Sequence, residues 1–565
     1  MPHTAPSEDE IIRLFETGQL WQEITRHHAE DDESEDSFVR RCIRLHNKSR
    51  IDLLGLASEE RLLQTPTHQF FTAQHFYCNA IPELHATVGA VMQCCLDLVT
   101  KAGNDLASNL PNAAFRQWCL NNSDGTNAVI AAARTGDDLA KKFVTFALEA
   151  LGDTAVALSF VSDFFDDRRL SGMTALGRMK FADHAAAQIA LTALAPHVGQ
   201  GDENTRNNAL LASFRILESH NDAVLAYQLV IDATTIATPM LLMGLAMVLS
   251  NHQAQLSDNS IRSILNALLH VPHEHNGTIK QIDQGLRKLL KTHTNLAVDY
   301  LTQKLADANF TIEDFPSTRH RLVHENSEVL QSVLVSWLLV GTVKLCNNLS
   351  KLLPDDEKAP LSIDFQKYSL TSSQRIFICH KAIGFLFIDA VACCSIIVSL
   401  LRTSDRESAG ELVNLLVDPM LRNYGGNSLD YLKSIEKSDP AYNAVRRALR
   451  RNDQHIAGLN AVGEIKELHP STHNRNLVDQ RQFDQMHAAQ KQAESQSIFA
   501  DLVHRSVLLY GKKSLTYVND PSGERRELEL DLKSITVSVE VPRGQTLDPV
   551  GLEYMLRVFR AEKPT

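Results

Sequence analysis

The chain has 565 residues, of which 44% are hydrophobic and 22% charged, a balance typical of a globular protein with a large core. Its 56 basic and 68 acidic side chains give a formal net charge of −12. This charge argues against bulk binding of nucleic acid, because such binding requires a basic surface that neutralises phosphates. Nucleic acid is therefore not an expected partner.

The beginning of the chain and its cysteines bear on the cellular compartment. MPHTAPSEDEII has no basic flank followed by an apolar run, so we expect no secretory leader. The nine cysteines are scattered and form no Cys-x-x-Cys pair, which is typical of reduced thiols. We therefore expect a soluble, cytoplasmic protein.

Amphipathic helices are predicted over most of the chain, from about Ile11 to Arg451. Apolar residues recur at i, i+3, i+4 and i+7 in residues 143–151 and again in residues 261–269. Short polar breaks separate such stripes, and no convincing strand pattern precedes residue 500. Because a single core stops growing well before 450 residues, we predict a stacked helical array rather than one bundle.

Two segments share an Asp four residues before an Arg, followed by an apolar helix: Asp202 with Arg206, and Asp258 with Arg262. This pattern resembles the HEAT/armadillo class of α-solenoids, in which a turn Asp and a following Arg commonly link neighbouring repeats. The resemblance covers about residues 130–420 and implies that these four residues are structural. Their offset of 56 residues is too long for one helical pair and too short for two, so we expect an irregular array.

The strongest candidate for a catalytic or metal-binding site is DFFDDRR at residues 163–169. On a helix, Asp163, Asp166 and Asp167 share one face and could hold Mg²⁺. With an all-helical fold this resembles the Asp-rich metal site of isoprenoid synthases, although the order departs from Asp-Asp-x-x-Asp and no second metal motif is visible. An all-α Mg-dependent enzyme is therefore one alternative. The competing interpretation is a charged turn in which the following arginines balance the carboxylates.

The segment 375–402 contains a 20-residue apolar run, Ala382 to Leu401, whose only charged residue is Asp389. Such a run can span a bilayer of about 30 Å, so a membrane-associated helical protein is a second alternative. The internal charge and the lack of a Trp or Tyr belt favour a buried solenoid helix instead. In that case Asp389 is expected to pair with Lys381 or to cap a neighbouring turn.

A basic run, VRRALRR, occupies residues 445–451. On a helix it places four arginines on two adjacent stripes, Arg446 with Arg450 and Arg447 with Arg451. They are a candidate interaction surface for phosphates or an acidic partner, or simply a solvated helix face.

The last part of the chain has a different pattern. Period-two alternation in residues 527–541 predicts a hairpin or small sheet, with a turn at NDPSGE. DPVGLEYMLRVFRAE predicts a closing helix with Asp548 at the N-cap and Pro549 at the first helical position. We therefore predict three regions, listed as an N-terminal helical region (1–130), a helical-repeat region (131–465), and a linker helix with a C-terminal module (466–565).

These patterns predict a mostly α protein, an irregular α-solenoid or helical-repeat array with a small C-terminal α+β module. Neither GxGxxG nor GxSxG occurs, and we expect no cofactor. The leading hypothesis is a non-catalytic scaffold that mediates protein–protein interaction, because stacked helices make long concave surfaces. The sequence does not name the protein partner.

Overall fold

A computed structural model describes residues 6–26, 37–103, 109–353, 360–463, 465, 470–495, 513–519, 525–531 and 540–564. The chain divides into two compact units, Met1–Thr292 and His293–Thr565. This division was not predicted, and the predicted boundary after residue 130 lies inside a helix. Most of the predicted NDPSGE turn and the predicted strand residues 532–539 lie outside the described residues.

Helices connected by short turns make up the described residues of the first unit. Its helices are α1 (Glu8–Glu16), α2 (Leu20–Ile24), α3 (Phe38–Asn47), α4 (Leu53–Leu56), α5 (Glu59–Gln64), α6 (Thr67–Ala80), α7 (Val88–Ala102), α8 (Asn109–Asn121), α9 (Ser123–Thr135), α10 (Asp138–Leu151), α11 (Thr154–Val161), α12 (Asp166–Leu176), α13 (His184–Gly199), α14 (Glu203–Ser219), α15 (Ala223–Thr235), α16 (Pro239–Asn251), α17 (Asp258–Leu268) and α18 (Asn276–Thr292).

Side-chain caps explain where many of these helices begin. An aspartate stands immediately before α10, α11, α13, α14 and α15, and in each case its carboxylate accepts a hydrogen bond from a backbone N–H of the first turn. Such a cap satisfies an N–H group that has no partner within the helix and meets the positive end of the helix dipole. The short polar breaks seen in the sequence are therefore helix starts.

From α8 onward the helices of this unit pack in two rows. In one row, which we call the even row, α8, α10, α12, α14, α16 and α18 each contact the next member. In the other row α11, α13, α15 and α17 do the same, and sequential pairs such as α13 with α14 join the rows. Four consecutive members of the even row begin at residues 166, 203, 239 and 276, which are 36 or 37 residues apart.

This interval explains the offset of 56 residues between the two Asp-x-x-x-Arg segments. Asp202 caps α14 in the even row, whereas Asp258 is the first residue of α17 in the other row. The offset is therefore about one and a half intervals, and the two segments are not equivalent positions of a repeat. Arg206 is buried and donates to the carbonyls of Val198 (2.9 Å) and Asp232 (3.4 Å), so it links α13 with α15 as a structural residue. Arg262 is exposed.

The second unit contains helices and one pair of strands. Its elements are α19 (Thr294–Lys304), α20 (Pro316–His324), α21 (Ser327–Val340), α22 (Val343–Cys346), α23 (Ser372–Leu386), α24 (Ala390–Leu401), α25 (Arg406–Leu415), α26 (Asn427–Ser434), α27 (Tyr442–Gly463), α28 (Thr472–Ser495), β1 (Lys513–Asn519), β2 (Arg525–Asp531), α29 (Arg543–Leu547) and α30 (Pro549–Ala561). Here α19, α21, α23, α25 and α27 form a row, each member contacting the next. The strands pair antiparallel, with Lys513 opposite Asp531.

The apolar run 375–402 is two helices rather than one. α23 ends at Leu386 and α24 begins at Ala390, with Asp389 at its N-cap position. Every residue of α24 is buried, so this run belongs to the core of the second unit. Among the described residues, no helix has both the length and the apolarity that a membrane crossing needs.

The C-terminal helix packs against the first half of that run. α30 begins as predicted, because Asp548 caps it by accepting from the N–H of Gly551 (2.9 Å) and Pro549 is its first residue. The ammonium of Lys381, predicted to pair with Asp389, instead donates to the carbonyl of Arg560 (2.7 Å) and to that of Glu562 (2.6 Å). The mostly α fold class is confirmed.

Candidate interaction surface

The three carboxylates predicted to bind metal do not share one helical face. α12 begins at Asp166, so Asp163 lies before the helix, where it accepts a hydrogen bond from the N–H of Phe165 (3.0 Å). Asp163 forms an ion pair with Arg168 (3.4 Å) and Asp166 with Arg169 (3.1 Å). Asp167 lies 4.0 Å from Lys141, which pairs more closely with Asp138 (2.9 Å). The geometry is that of a charged turn at a helix start.

Two further observations concern metal binding. The pKa of Asp163 is lowered, mainly because the Phe165 N–H donates to the carboxylate, and Arg168 adds to this effect. In the part of the chain that the structure describes, no group of three or more His, Cys, Asp or Glu side chains is arranged to hold a metal ion. Mg²⁺ binding by the cluster stays a prediction without a geometric argument in its favour.

The four arginines predicted as an interaction surface lie on α27 and are all exposed. Arg451 donates to Oδ1 of Asn414 on α25 (2.7 Å). Within the described ranges, no carboxylate forms an ion pair with Arg446, Arg447 or Arg450. These arginines are accessible to a partner, and their role in an interaction stays a prediction.

A second set of basic side chains, which the sequence reasoning missed, lies along the even row. Arg178, Arg215, His252 and Lys288 follow one another at intervals of 37, 37 and 36 residues. Arg215 and Lys288 lie in the C-terminal parts of α14 and α18, and Arg178 and His252 follow the ends of α12 and α16 by two residues and one residue. We call these four residues the basic ladder. Basic groups near helix C-termini are favoured by the negative end of the helix dipole.

A cavity of about 430 Å³ between the ends of α12, α14 and α16 is lined by three members of the basic ladder, Arg178, Arg215 and His252. Arg178, Lys180 and Arg215 bring positive charge to it, and Glu218 brings negative charge. No carboxylate among the residues that the structure describes forms an ion pair with any of the three cations. The cavity therefore has an excess of positive charge in a chain that is acidic as a whole.

The two arginines of the cavity influence each other. The pKa of Arg215 is lowered, first by burial of the guanidinium and then by the positive charge of Arg178, while Glu218 and Glu149 act in the opposite direction. The guanidinium of Arg178 also lies 5.8 Å from the centre of the Phe146 ring, a cation–π contact. Two like charges side by side repel each other, and an anion between them would relieve that repulsion.

Glu218 is directed towards His252. Its Oε1 lies 3.1 Å from Nδ1 of His252, whose side chain is buried. Burial is the main reason why the pKa of His252 is lowered, with Arg215 and Lys288 adding to the effect and Glu218 opposing it. The imidazole is therefore neutral at neutral pH, and the cavity keeps three cations against one carboxylate.

Gly177 lets the end of α12 come close enough to build this cavity. A Cβ atom at this position would lie 2.7 Å from the Cα of Ala212 on α14, closer than side-chain carbons approach a backbone. The absence of a side chain at Gly177 thus brings the backbone after α12 onto α14. Arg178, the next residue, is placed beside Arg215 as a result.

Neither a protein-family model nor a curated protein matches this chain. The basic ladder has no local motif, because its members stand 36 or 37 residues apart and have three different side chains. The signal that would have found it is the recurrence of a basic residue at the interval between even-row helices. That interval becomes visible only once the helices have been assigned to rows.

Proposed function

We propose that this chain is a non-catalytic α-solenoid scaffold that binds a protein partner along the even row of its first unit. The basic ladder is the observation that carries the proposal. Repeated helices place equivalent side chains at a regular spacing, and such arrays suit the binding of extended partner segments. The positive charges of Arg178, Arg215 and Lys288 favour an acidic segment as the partner.

The regular rows support a HEAT/armadillo-like arrangement as the architecture of this scaffold. The last four members of the even row begin at nearly constant intervals, and Arg206 links helices of the other row by hydrogen bonds. We further propose a cytoplasmic location, and a small C-terminal α+β module formed by β1, β2 and α30. The buried thiols support a reducing compartment, since burial raises the pKa of Cys94 and keeps it unreactive.

Affinity capture from native lysate, followed by mass spectrometry, tests the scaffold. Three forms of the full chain are compared: the wild type, the ladder variant Arg178→Glu/Arg215→Glu, and a matched control, Arg446→Glu/Arg447→Glu. We expect one or more proteins that the wild type and the control enrich and that the ladder variant loses. Recovery of the same proteins by all three forms would contradict the proposed surface, and loss with the control alone would move it to α27.

A further inference from the structure

The charge, the hydrogen-bond donors and the size of the cavity at Arg178 and Arg215 indicate which chemical group it binds. We propose that it binds a phosphate monoester, carried by a phosphorylated side chain of the partner protein. This inference rests on the scaffold function proposed above, and it adds the chemical group that the even row recognises.

The charge of the cavity matches a phosphate monoester better than a carboxylate. Arg178, Lys180 and Arg215 contribute three positive charges and Glu218 one negative charge, and His252 is neutral at neutral pH. The net charge is therefore +2. A phosphorylated side chain carries about −1.5 to −2 at pH 7, whereas a carboxylate neutralises only half of the excess.

The hydrogen-bond donors of the cavity also suit a phosphate group. Each guanidinium presents its N–H groups as a planar fork that can donate two parallel hydrogen bonds to phosphate oxygens. Arg178 and Arg215 are both exposed, so a bound anion can reach them, and Arg178 lies over the Phe146 ring, 5.8 Å from its centre. The Glu218 carboxylate lies 3.1 Å from Nδ1 of His252, and no ion pair joins it to either guanidinium group among the described residues.

The size and the surroundings of the cavity favour a side chain over a nucleic-acid strand. About 430 Å³ accommodates one phosphorylated side chain with its nearest backbone. A nucleic acid needs basic groups along several successive phosphates. Of the other two ladder residues, His252 is buried and lines the same cavity, and the Nζ of Lys288 donates to the carbonyl of Ser250 (2.5 Å).

Peptide libraries on an array, probed with the full-length chain, test the proposal. One library carries a fixed phosphoserine, phosphothreonine or phosphotyrosine in a randomised background, and matched libraries carry Ser or Glu at the fixed position. We expect the phosphorylated library to bind at least about tenfold more strongly than either matched library. We expect Arg178→Gln/Arg215→Gln to abolish that preference, and the matched control Arg446→Gln/Arg447→Gln to keep it.

Three outcomes would overturn the proposal. Equal binding of the Glu and phosphorylated libraries would assign the cavity to carboxylates. Binding of inorganic phosphate without any preference among the peptides would point to a small phosphorylated molecule. Binding of single-stranded DNA that is lost in Arg178→Gln/Arg215→Gln would assign the cavity to nucleic acid.

Failure of this inference can be told apart from failure of the scaffold function. Phosphatase treatment of the lysate before affinity capture should remove the partner in the same way as Arg178→Gln/Arg215→Gln does. If the partner survives both treatments, the phosphate pocket is wrong and the scaffold stands. If the phosphorylated library binds at the cavity but the wild type captures no protein, the pocket stands and the scaffold is wrong.

Discussion

The even row of the first unit and the contact between α23 and α30 in the second unit hold helices together in different ways. Hydrogen bonds across the even row join residues close in sequence, such as Ser250 with Gln281, 31 positions apart, and Lys288 with Ser250, 38 apart. At α23 the corresponding bonds join Gly384 with Arg560 and Lys381 with Glu562, 176 and 181 positions apart.

The difference teaches how each region is stabilised. A short separation in sequence costs little loop-closure entropy, so the even row is stable through repeated packing of apolar helices. Bringing α30 back to α23 costs more loop-closure entropy, because the contacting residues are far apart in sequence. Specific polar and aromatic contacts offset this cost. His380 stacks on Phe559 with ring centres 4.4 Å apart, and its Nδ1 lies 2.7 Å from the Glu562 carboxylate.

The largest loss of unfolding free energy is expected at Lys381, whose buried ammonium donates hydrogen bonds to the C-terminal end of α30 and the residue after it. Lys381 is fully buried, and Lys381→Met would leave the carbonyls of Arg560 and Glu562 without their donor. We expect a loss of about 2 to 3 kcal/mol in the unfolding free energy of the second unit. Urea denaturation measures it, and hydrogen exchange should show faster exchange in α30. The exposed Lys367→Met is the control, and equal α30 exchange in both variants would contradict the role of Lys381.

A smaller loss of unfolding free energy is expected in the even row, where the backbones of α12 and α14 pack closely. Gly177→Ala places a Cβ 2.7 Å from the Cα of Ala212, so we expect a loss of about 2 kcal/mol in urea denaturation. Gly458→Ala on α27 is the matched control, because no atom lies within 4 Å of its Cβ. It should gain up to about 1 kcal/mol from helix propensity. A gain in both variants would show that the α12–α14 contact is loose.

The pH dependence of stability tests the even row through His252. The pKa of His252 is lowered in the folded chain, chiefly by burial, so below about pH 6.5 the unfolded chain binds more protons and the unfolding free energy falls. His252→Gln should reduce this fall in urea denaturation between about pH 7.5 and about pH 5.5. His46 and His197, whose pKa values are also lowered, should retain part of it. An unchanged fall in the variant would refute this role of His252.

The smallest change in unfolding free energy is expected when the exposed arginines of the cavity are replaced. Arg178→Gln/Arg215→Gln should change the unfolding free energy by no more than about 0.5 kcal/mol, because the two guanidinium groups repel each other and form no ion pair with any residue that the structure describes. Arg206→Gln offers the contrast, since its buried guanidinium donates to two backbone carbonyls and should cost about 1 to 3 kcal/mol. A comparable loss of unfolding free energy in the double variant and in Arg206→Gln would show that Arg178 and Arg215 stabilise the fold.

The sequence by itself determined the class of fold and the start of particular helices. Aspartate caps and apolar periodicity act between residues a few positions apart, so the start of α30 at Asp548 and Pro549 was readable from the chain. The same local logic failed at Asp163, because a short turn before α12 removed it from the helical face that the spacing predicted.

Only the tertiary structure decided which distant residues meet. The break between α23 and α24, the return of α30 to Lys381 and the alignment of Arg178 with Arg215 all depend on how helices pack. A side chain's neighbours on an adjacent helix are set by the row to which that helix belongs. Nothing in the local pattern of a single helix encodes that assignment, since any apolar stripe can pack against several partners.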